Sequence, residues 1–398
     1  MSRGIMDVLK NHLITVLAIA GLILAVIAGA FQAYRAYELA TGYIAHGRSY
    51  VSDEIYYVDV ARRYLIDIFH VNINYYDMSG KTRDDYFNLE HPPLGKYIIA
   101  LSMVICGDRP LCWRLPGIVE AGLIPVLLYL AFIKFGAKHE SSTRYIAAGV
   151  IAAVAVGSDR IIYRDASVAL LDIHLAFFTA LTVFFLARDR LIPASISSAL
   201  AFMVKMSGLA AIGGVLFYVF IRGVAQRNYL DIIKRWFSVI FIVIVVSLVL
   251  YLPLINYFGP GEIIKETLAA LRWHTSSRPE GPPTSTPIGW IFNSNPFFFS
   301  FSLVDAAAAT TTIIELFGVI SAGISVIITL ISAIWKKRFV NAPGGYTLLL
   351  VFAMYGVIWV LGNHTFYSFY AVQLAPLSAM ALAEFFLLAS RFMGGEFG

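Results

Sequence analysis

Charge is what this 398-residue chain has least of: only 14% of it is Asp, Glu, Lys or Arg, while 59% is hydrophobic. A soluble globular domain carries about one-quarter charged residues, so a water-soluble fold is excluded and a polytopic membrane protein is expected. There are only two cysteines, Cys106 and Cys112, too few for a disulfide framework or a thiolate metal site. They lie close enough for one disulfide if their loop faces an oxidising compartment. Glycine-rich phosphate loops, internal repeats and low-complexity tracts are absent as well. The excess of five positive charges sits beside apolar runs instead of forming a basic, aromatic-interleaved surface. It therefore reads as membrane anchoring and excludes nucleic acid as a partner.

What is present is a series of apolar runs. A spanning helix needs roughly 20 such residues, and candidates occupy 13–31, 114–134, 145–158, 168–187, 236–255, 312–334, 346–361 and 369–388. The first run is too long for a signal-peptide core, lacks a small-residue cleavage site, and reads as a retained span. The stretch 191–221 is too long for one span and is interrupted at Lys205-Met206-Ser207. Basic clusters at Lys134/Lys138/Arg144, Arg188/Arg190, Arg222/Arg227/Lys234/Arg235 and Lys336/Lys337/Arg338 all reach the cytoplasm on two conditions. The short run 94–106 must not cross, and 191–221 must cross twice. The expectation is an all-α protein of about ten crossings, with interfacial helices in the first of two large outside loops, 32–113 and 256–311. It divides into a module over 1–255, the loop 256–311, and C-terminal helices over 312–398.

The polar information gathers on that outside face. "YVSDEIYYVDVARR" (50–63) places Asp53 and Glu54 before a helical pattern running from Ile55 to Phe69, where carboxylates are favoured as N-terminal caps. "HPPLGKY" (91–97) has prolines that stop one element and open the next. Lys96 then falls near a helix start, where its charge gains nothing from the dipole. An anionic partner such as a lipid phosphate explains it, and so does snorkelling to headgroups. In "YRDASVALLDIHLAFF" (163–178), Arg164, Asp165, Asp172 and His174 stand at or inside the outer end of a span. Ionisable groups there mark a site or an ion pair that packs helices. His274 comes from "LRWHTSSRPEGPPTSTPIGW" (271–290), and Tyr367 and Tyr370 from "GNHTFYSFYAVQLAP" (362–376), where an aromatic belt also accounts for tyrosines.

The order of these stretches is informative. An Asp-Glu pair after the first span precedes "HPPLGK", "WRLPGIVEAGLIPVLLYL", "LLDIHLAFF" and the lysine of "AFMVKMSGL". This resembles the protein O-mannosyltransferase family, polytopic glycosyltransferases of the GT-C fold that use a polyprenyl-phosphate sugar donor. The resemblance covers most of residues 1–225. Two positions depart from the family pattern, Ser167 in place of an arginine and Met206 in place of an aromatic residue after the lysine.

The resemblance implies an inverting transfer of a sugar, with mannose expected, from polyprenyl or dolichyl phosphate. The implied acceptor is a hydroxyl, with protein Ser/Thr expected, at the extracytoplasmic face of the cell membrane. Asp53 would be the general base, supported by Glu54. Lys96, Arg114, Arg164 and Lys205 would meet the lipid phosphate, His91 would position it, and Asp172 would hold an arginine or the sugar. No cofactor is required; Mg²⁺ or Mn²⁺ bridging Asp53 and Asp172 is chemically open but disfavoured by the resemblance. Two alternatives stand beside this reading: a same-fold enzyme glycosylating a lipid or cell-surface glycan, and, more distantly, a transporter or flippase of a polyprenyl-linked sugar.

Overall fold

A computed structural model describes residues 3–75, 86–133, 142–276, 283–299 and 310–393. Fifteen α-helices occur among them. α1 (Arg3–Ala45) continues without a break past the expected end at residue 31, because no proline or unfavourable pair interrupts it and Arg35 bridges to Glu38 one turn on at 2.6 Å. The first connection is correspondingly shorter than 32–113. It holds α2 (Glu54–Arg63), which passes into a wider π-turn over Tyr64–Ile68, and α3 (Leu94–Cys106). α3 is the short element expected at 94–106, and Cys106 at its end is disulfide-bonded to Cys112.

α4 (Pro110–Phe132) packs along α1 at a close crossing. A side chain at Gly29 would lie 2.1 Å from the Gly122 carbonyl oxygen, so only glycine lets the two backbones approach, as small residues do between membrane helices. α5 (Ser142–Gly157) bends by 54° into α6 (Arg160–Ala166). Three carbonyls at this break, those of Val156, Gly157 and Asp159, all accept from the Gln32 side-chain amide at 2.8–3.2 Å. That satisfies backbone groups that lipid could not.

α7 (Leu171–Ala187) and α8 (Leu191–Val204) form a hairpin. The chain then opens at Lys205, which is extended, tightens into a turn over Met206–Gly208, and resumes as α9 (Leu209–Gln226). α10 (Tyr229–Phe258) leads directly into α11 (Pro260–Thr275), and the short α12 (Pro287–Ile291) follows. The expected outside loop 256–311 is thus partly helical, and its residues 277–282 and 300–309 lie outside the described residues, as do Lys134 and Lys138. α13 (Ile313–Ile334), α14 (Pro343–Val360) and α15 (Leu374–Met393) close the bundle.

The protein is a multi-pass membrane protein, but the expected count of ten crossings is not reached on length. Among the described residues seven helices are long and apolar enough to cross, or eight if the bent pair α5–α6 is one span. α7 and α8, expected as crossings, have 17 and 14 residues. Extended residues at Leu170 and Lys205 cut them short.

Candidate functional site

Two ion pairs fix α2. At its start, Glu54 is fully buried and its two oxygens take four hydrogen bonds. They come from Arg114 Nε and Nη2, each at 2.7 Å, from Val51 N at 2.7 Å and from Ala169 N at 2.6 Å. At its other end Arg62 reaches Asp108 through Nε at 2.7 Å and Nη2 at 3.0 Å. Glu54 therefore positions, and its oxygens are occupied. Arg114 is equally committed: it also donates to the carbonyls of Ala40 and Ser49 and is wholly buried, so the phosphate contact expected of it is replaced by a structural one.

Asp53, one residue earlier, is the opposite case. The capping expected of the acid pair does not occur: Asp53 sits at the N-cap of α2 without a side-chain capping bond, and Glu54 turns back to Val51. Among the described residues, no hydrogen-bond donor engages the Asp53 carboxyl. It is half-buried and lies in the fields of Lys205 and Asp172. Loss of water on burial raises its pKa above the usual carboxylate value, Lys205 draws it down, and Asp172 pushes it up.

Lys205 donates to Asp172 Oδ1 at 2.7 Å, and its ammonium lies 3.8 Å from the centre of the Tyr370 ring. Asp165, fully buried, shares the field of this pair. The break after α8 delivers Lys205 here, and Gly208 makes the break possible. A Cβ at Gly208 would lie 2.2 Å from the Ala201 carbonyl carbon and 2.3 Å from Phe202 N.

Lys205 stands in the wall of a cavity of about 510 Å³. His91, His274, Ser207, Tyr355 and Tyr370 share its polar end, while Leu209, Gly213, Leu350, Met354 and Val357 make an apolar flank between α9 and α14. The rings of His91 and His274 lie 5.9 Å apart, and the ring of Tyr57 lies 5.9 Å from that of His91. The structure thus gathers His91, Lys205, His274 and Tyr370 at one cavity, with Asp53, Asp165 and Asp172 in the field of Lys205.

Besides Arg114, three expected site residues are placed otherwise. Lys96 is fully buried and donates to Asn88 O at 2.6 Å, Asn88 Oδ1 at 3.2 Å and His91 O at 2.7 Å. It is the fastener of the 88–91 turn that presents His91, and burial lowers its pKa to about 7. A phosphate cannot reach an ammonium whose three donors face these three acceptors. Arg164 bonds Thr310 Oγ1 at 2.5 Å, away from the cavity wall. Tyr367 packs among Phe297, Phe369 and Tyr370 behind the wall.

His174 pairs with Glu120 at 2.5 Å, which fits the helix-packing reading of that histidine. Sequence reasoning missed Tyr57, Ser207 and Tyr355. Only Ser207 carried a signal, since it sits in the break beside Lys205. Among the described residues no three His, Cys, Asp or Glu side chains converge as a metal site.

Residues 90–252 match the family model described as dolichyl-phosphate-mannose-protein mannosyltransferase. No curated protein matches the sequence. The structure is similar to that of ArnT from Cupriavidus metallidurans bound to undecaprenyl phosphate, with a TM-score of 0.53 at 13% identity over 96% of this chain. It is similar also to the apo oligosaccharyltransferase of Archaeoglobus fulgidus, with a TM-score of 0.52 at 13% identity over 95% of this chain. The fold is a GT-C fold. This GT-C chain spans 60% of the ArnT chain and 51% of the oligosaccharyltransferase chain.

Proposed function

We propose that this protein is an inverting glycosyltransferase that moves a sugar, most simply mannose, from a polyprenyl-phosphate donor to a hydroxyl acceptor. The observation that carries the reading is a carboxyl, Asp53, that no hydrogen-bond donor engages among the described residues and that lies in the field of Lys205, a residue of the wall of a largely apolar cavity. In the reaction the acceptor oxygen bonds to the anomeric carbon as the carbon–oxygen bond to the lipid phosphate breaks. The acceptor proton passes to Asp53, for which a carboxylate of raised pKa is suited. The leaving phosphate keeps the electron pair, and Lys205, with His91 and His274, faces its charge. Asp172 holds Lys205 in place, and the polyprenyl tail lies along the flank between α9 and α14. One displacement inverts the anomeric configuration.

Other observations support the details. The family model that matches residues 90–252 speaks for mannose and for protein as acceptor. The ArnT structure with undecaprenyl phosphate speaks for a lipid-phosphate donor. The Cys106–Cys112 disulfide beside α3, with the basic clusters at the far ends of the helices, speaks for an extracytoplasmic site. The test is reconstituted protein with labelled polyprenyl-phosphate mannose, offered a Ser/Thr-rich peptide alongside lipid and glycan acceptors. Label on the peptide supports protein O-glycosylation, and label on a lipid or glycan alone selects the second acceptor class. Absence of any Asp53-dependent transfer, with donor bound, overturns the enzymatic reading.

A further inference from the structure

α11 has three faces. At about 3.6 residues per turn, Ile263, Thr267, Ala270 and His274 point at the protein, and Ile263 packs with Val60, Tyr64 and Leu254. Glu262, Lys265 and Arg272 form a charged outer face. Between the two runs a strip of large aliphatic side chains, Ile264, Leu268 and Leu271, exposed by 60%, 51% and 47%. Half-exposed aliphatics beside a charged face are the pattern of a helix lying in a membrane surface.

Two further observations say what covers the strip. First, α11 is continuous with a lipid-facing surface: it follows α10, a 30-residue spanning helix with only Ile232, Val239 and Leu254 buried and with Leu252 and Tyr257 exposed near its end. Gly259 joins the two helices at φ +83°, a left-handed turn that lets the chain leave the spanning direction at once. Second, the strip ends at the cavity. Leu271 is part of the cavity wall together with Leu209 and Val357, which are themselves exposed on the outside of the bundle. The strip therefore meets the cavity at Leu271, one turn from His274 and Thr275 of the same helix in the wall.

We propose that α11 is an in-plane membrane anchor. Its Ile264–Leu268–Leu271 strip sits among the lipid acyl chains of the leaflet at which α10 ends, and this holds the cavity mouth at the level of that leaflet. The partner is lipid, and the claim stands whether or not the glycosyl-transfer reading holds. The charged face keeps Lys265 and Arg272 in the headgroup and water layer, which fixes the helix's rotation.

Both native cysteines are in the disulfide, so an introduced cysteine can be labelled alone. Full-length protein carrying Leu268→Cys or, separately, Lys265→Cys is spin-labelled and reconstituted in phosphatidylcholine–phosphatidylglycerol vesicles. Depth is read from collisions with oxygen and with a water-soluble nickel chelate. The expected result is a Leu268 label about 5–10 Å below the headgroup boundary and a Lys265 label exposed to the chelate. A Leu268 label as exposed to the chelate as the Lys265 label overturns the proposal. So does dipolar broadening at Leu268, which would show a second copy of the chain on this face. An Ile264→Cys label reporting the same depth as Leu268 keeps the test independent of any disturbance by one substitution.

Discussion

Adjacent acids with opposite surroundings should respond oppositely to the loss of their charge. In Glu54→Gln, one of the two oxygens becomes an NH₂ group, so two of the four donors now at 2.6–2.7 Å would face a donor. The wholly buried Arg114 also loses its counter-charge. Removing one partner of a buried ion pair costs about 3–5 kcal/mol, a shift of roughly two to three and a half powers of ten in the folding equilibrium. Asp53→Asn removes a charge that burial already disfavours and leaves no donor orphaned, so its stability should stay within about 0.5 kcal/mol of the parent.

SDS titration in mixed micelles, followed by tryptophan fluorescence, measures both variants. The double variant Glu54→Gln/Arg114→Met closes the cycle: with the guanidinium gone, about half of the single-variant loss should return. A Glu54→Gln unfolding curve that overlays the parent would refute the argument that Glu54 is a structural rivet. An Asp53→Asn curve displaced as far as that of Glu54→Gln would refute the division of labour between them.

Other consequences are measurable together. Because Asp53 must be ionised to take a proton, transfer should rise with pH along a limb displaced above the ordinary carboxylate range. Lys205→Met removes the cation that lowers the Asp53 pKa and should move this limb to higher pH, whereas Asp172→Asn removes the anion that raises it and should move the limb down. A pH–rate profile distinguishes the two directions, and identical limbs in both variants would remove Asp53 as the titrating base. Lys96→Met strips three acceptors of the 88–91 turn of their donor and should weaken donor binding by disordering His91, read as a raised Kd for polyprenyl phosphate. Gly208→Ala forces a Cβ into the backbone of Ala201 and Phe202 and should displace Lys205; donor-dependent turnover equal to the parent's would contradict this.

The parts of the structure legible in the sequence are those set by short-range physics. Hydropathy marks the spans, thirteen residues are too few to cross at 94–106, and Lys205-Met206-Ser207 announces the break between α8 and α9. Helix ends were less legible, since α1 continues to Ala45 through residues of mixed polarity that a lipid-based count cuts short. The roles of individual charges depended on partners far along the chain. Nothing near Glu54 announces Arg114, 60 residues away, and nothing near His174 announces Glu120, 54 residues away. Lys96 misled for a different reason. A cation near a helix start suggests an external anion, but three oxygens of the preceding turn, from Asn88 and His91, suffice to hold it. Tyr57 and Tyr355 lie in stretches where an aromatic residue is unremarkable, and only the closing of the bundle brings Tyr355 to the cavity and Tyr57 against His91.

The riveting of α2 has a consequence for how such a chain matures. Both of its anchors, Asp108 and Arg114, are made after it, and the Ala169 amide that completes the Glu54 cradle is made later still. While these segments are still being made, α2 lacks both of the ion pairs that fix it. Asp53 acquires its place only when the segment leading into α7 has been inserted. A chain interrupted before that point lacks the contacts that fix the start of α2, and with it the place of Asp53.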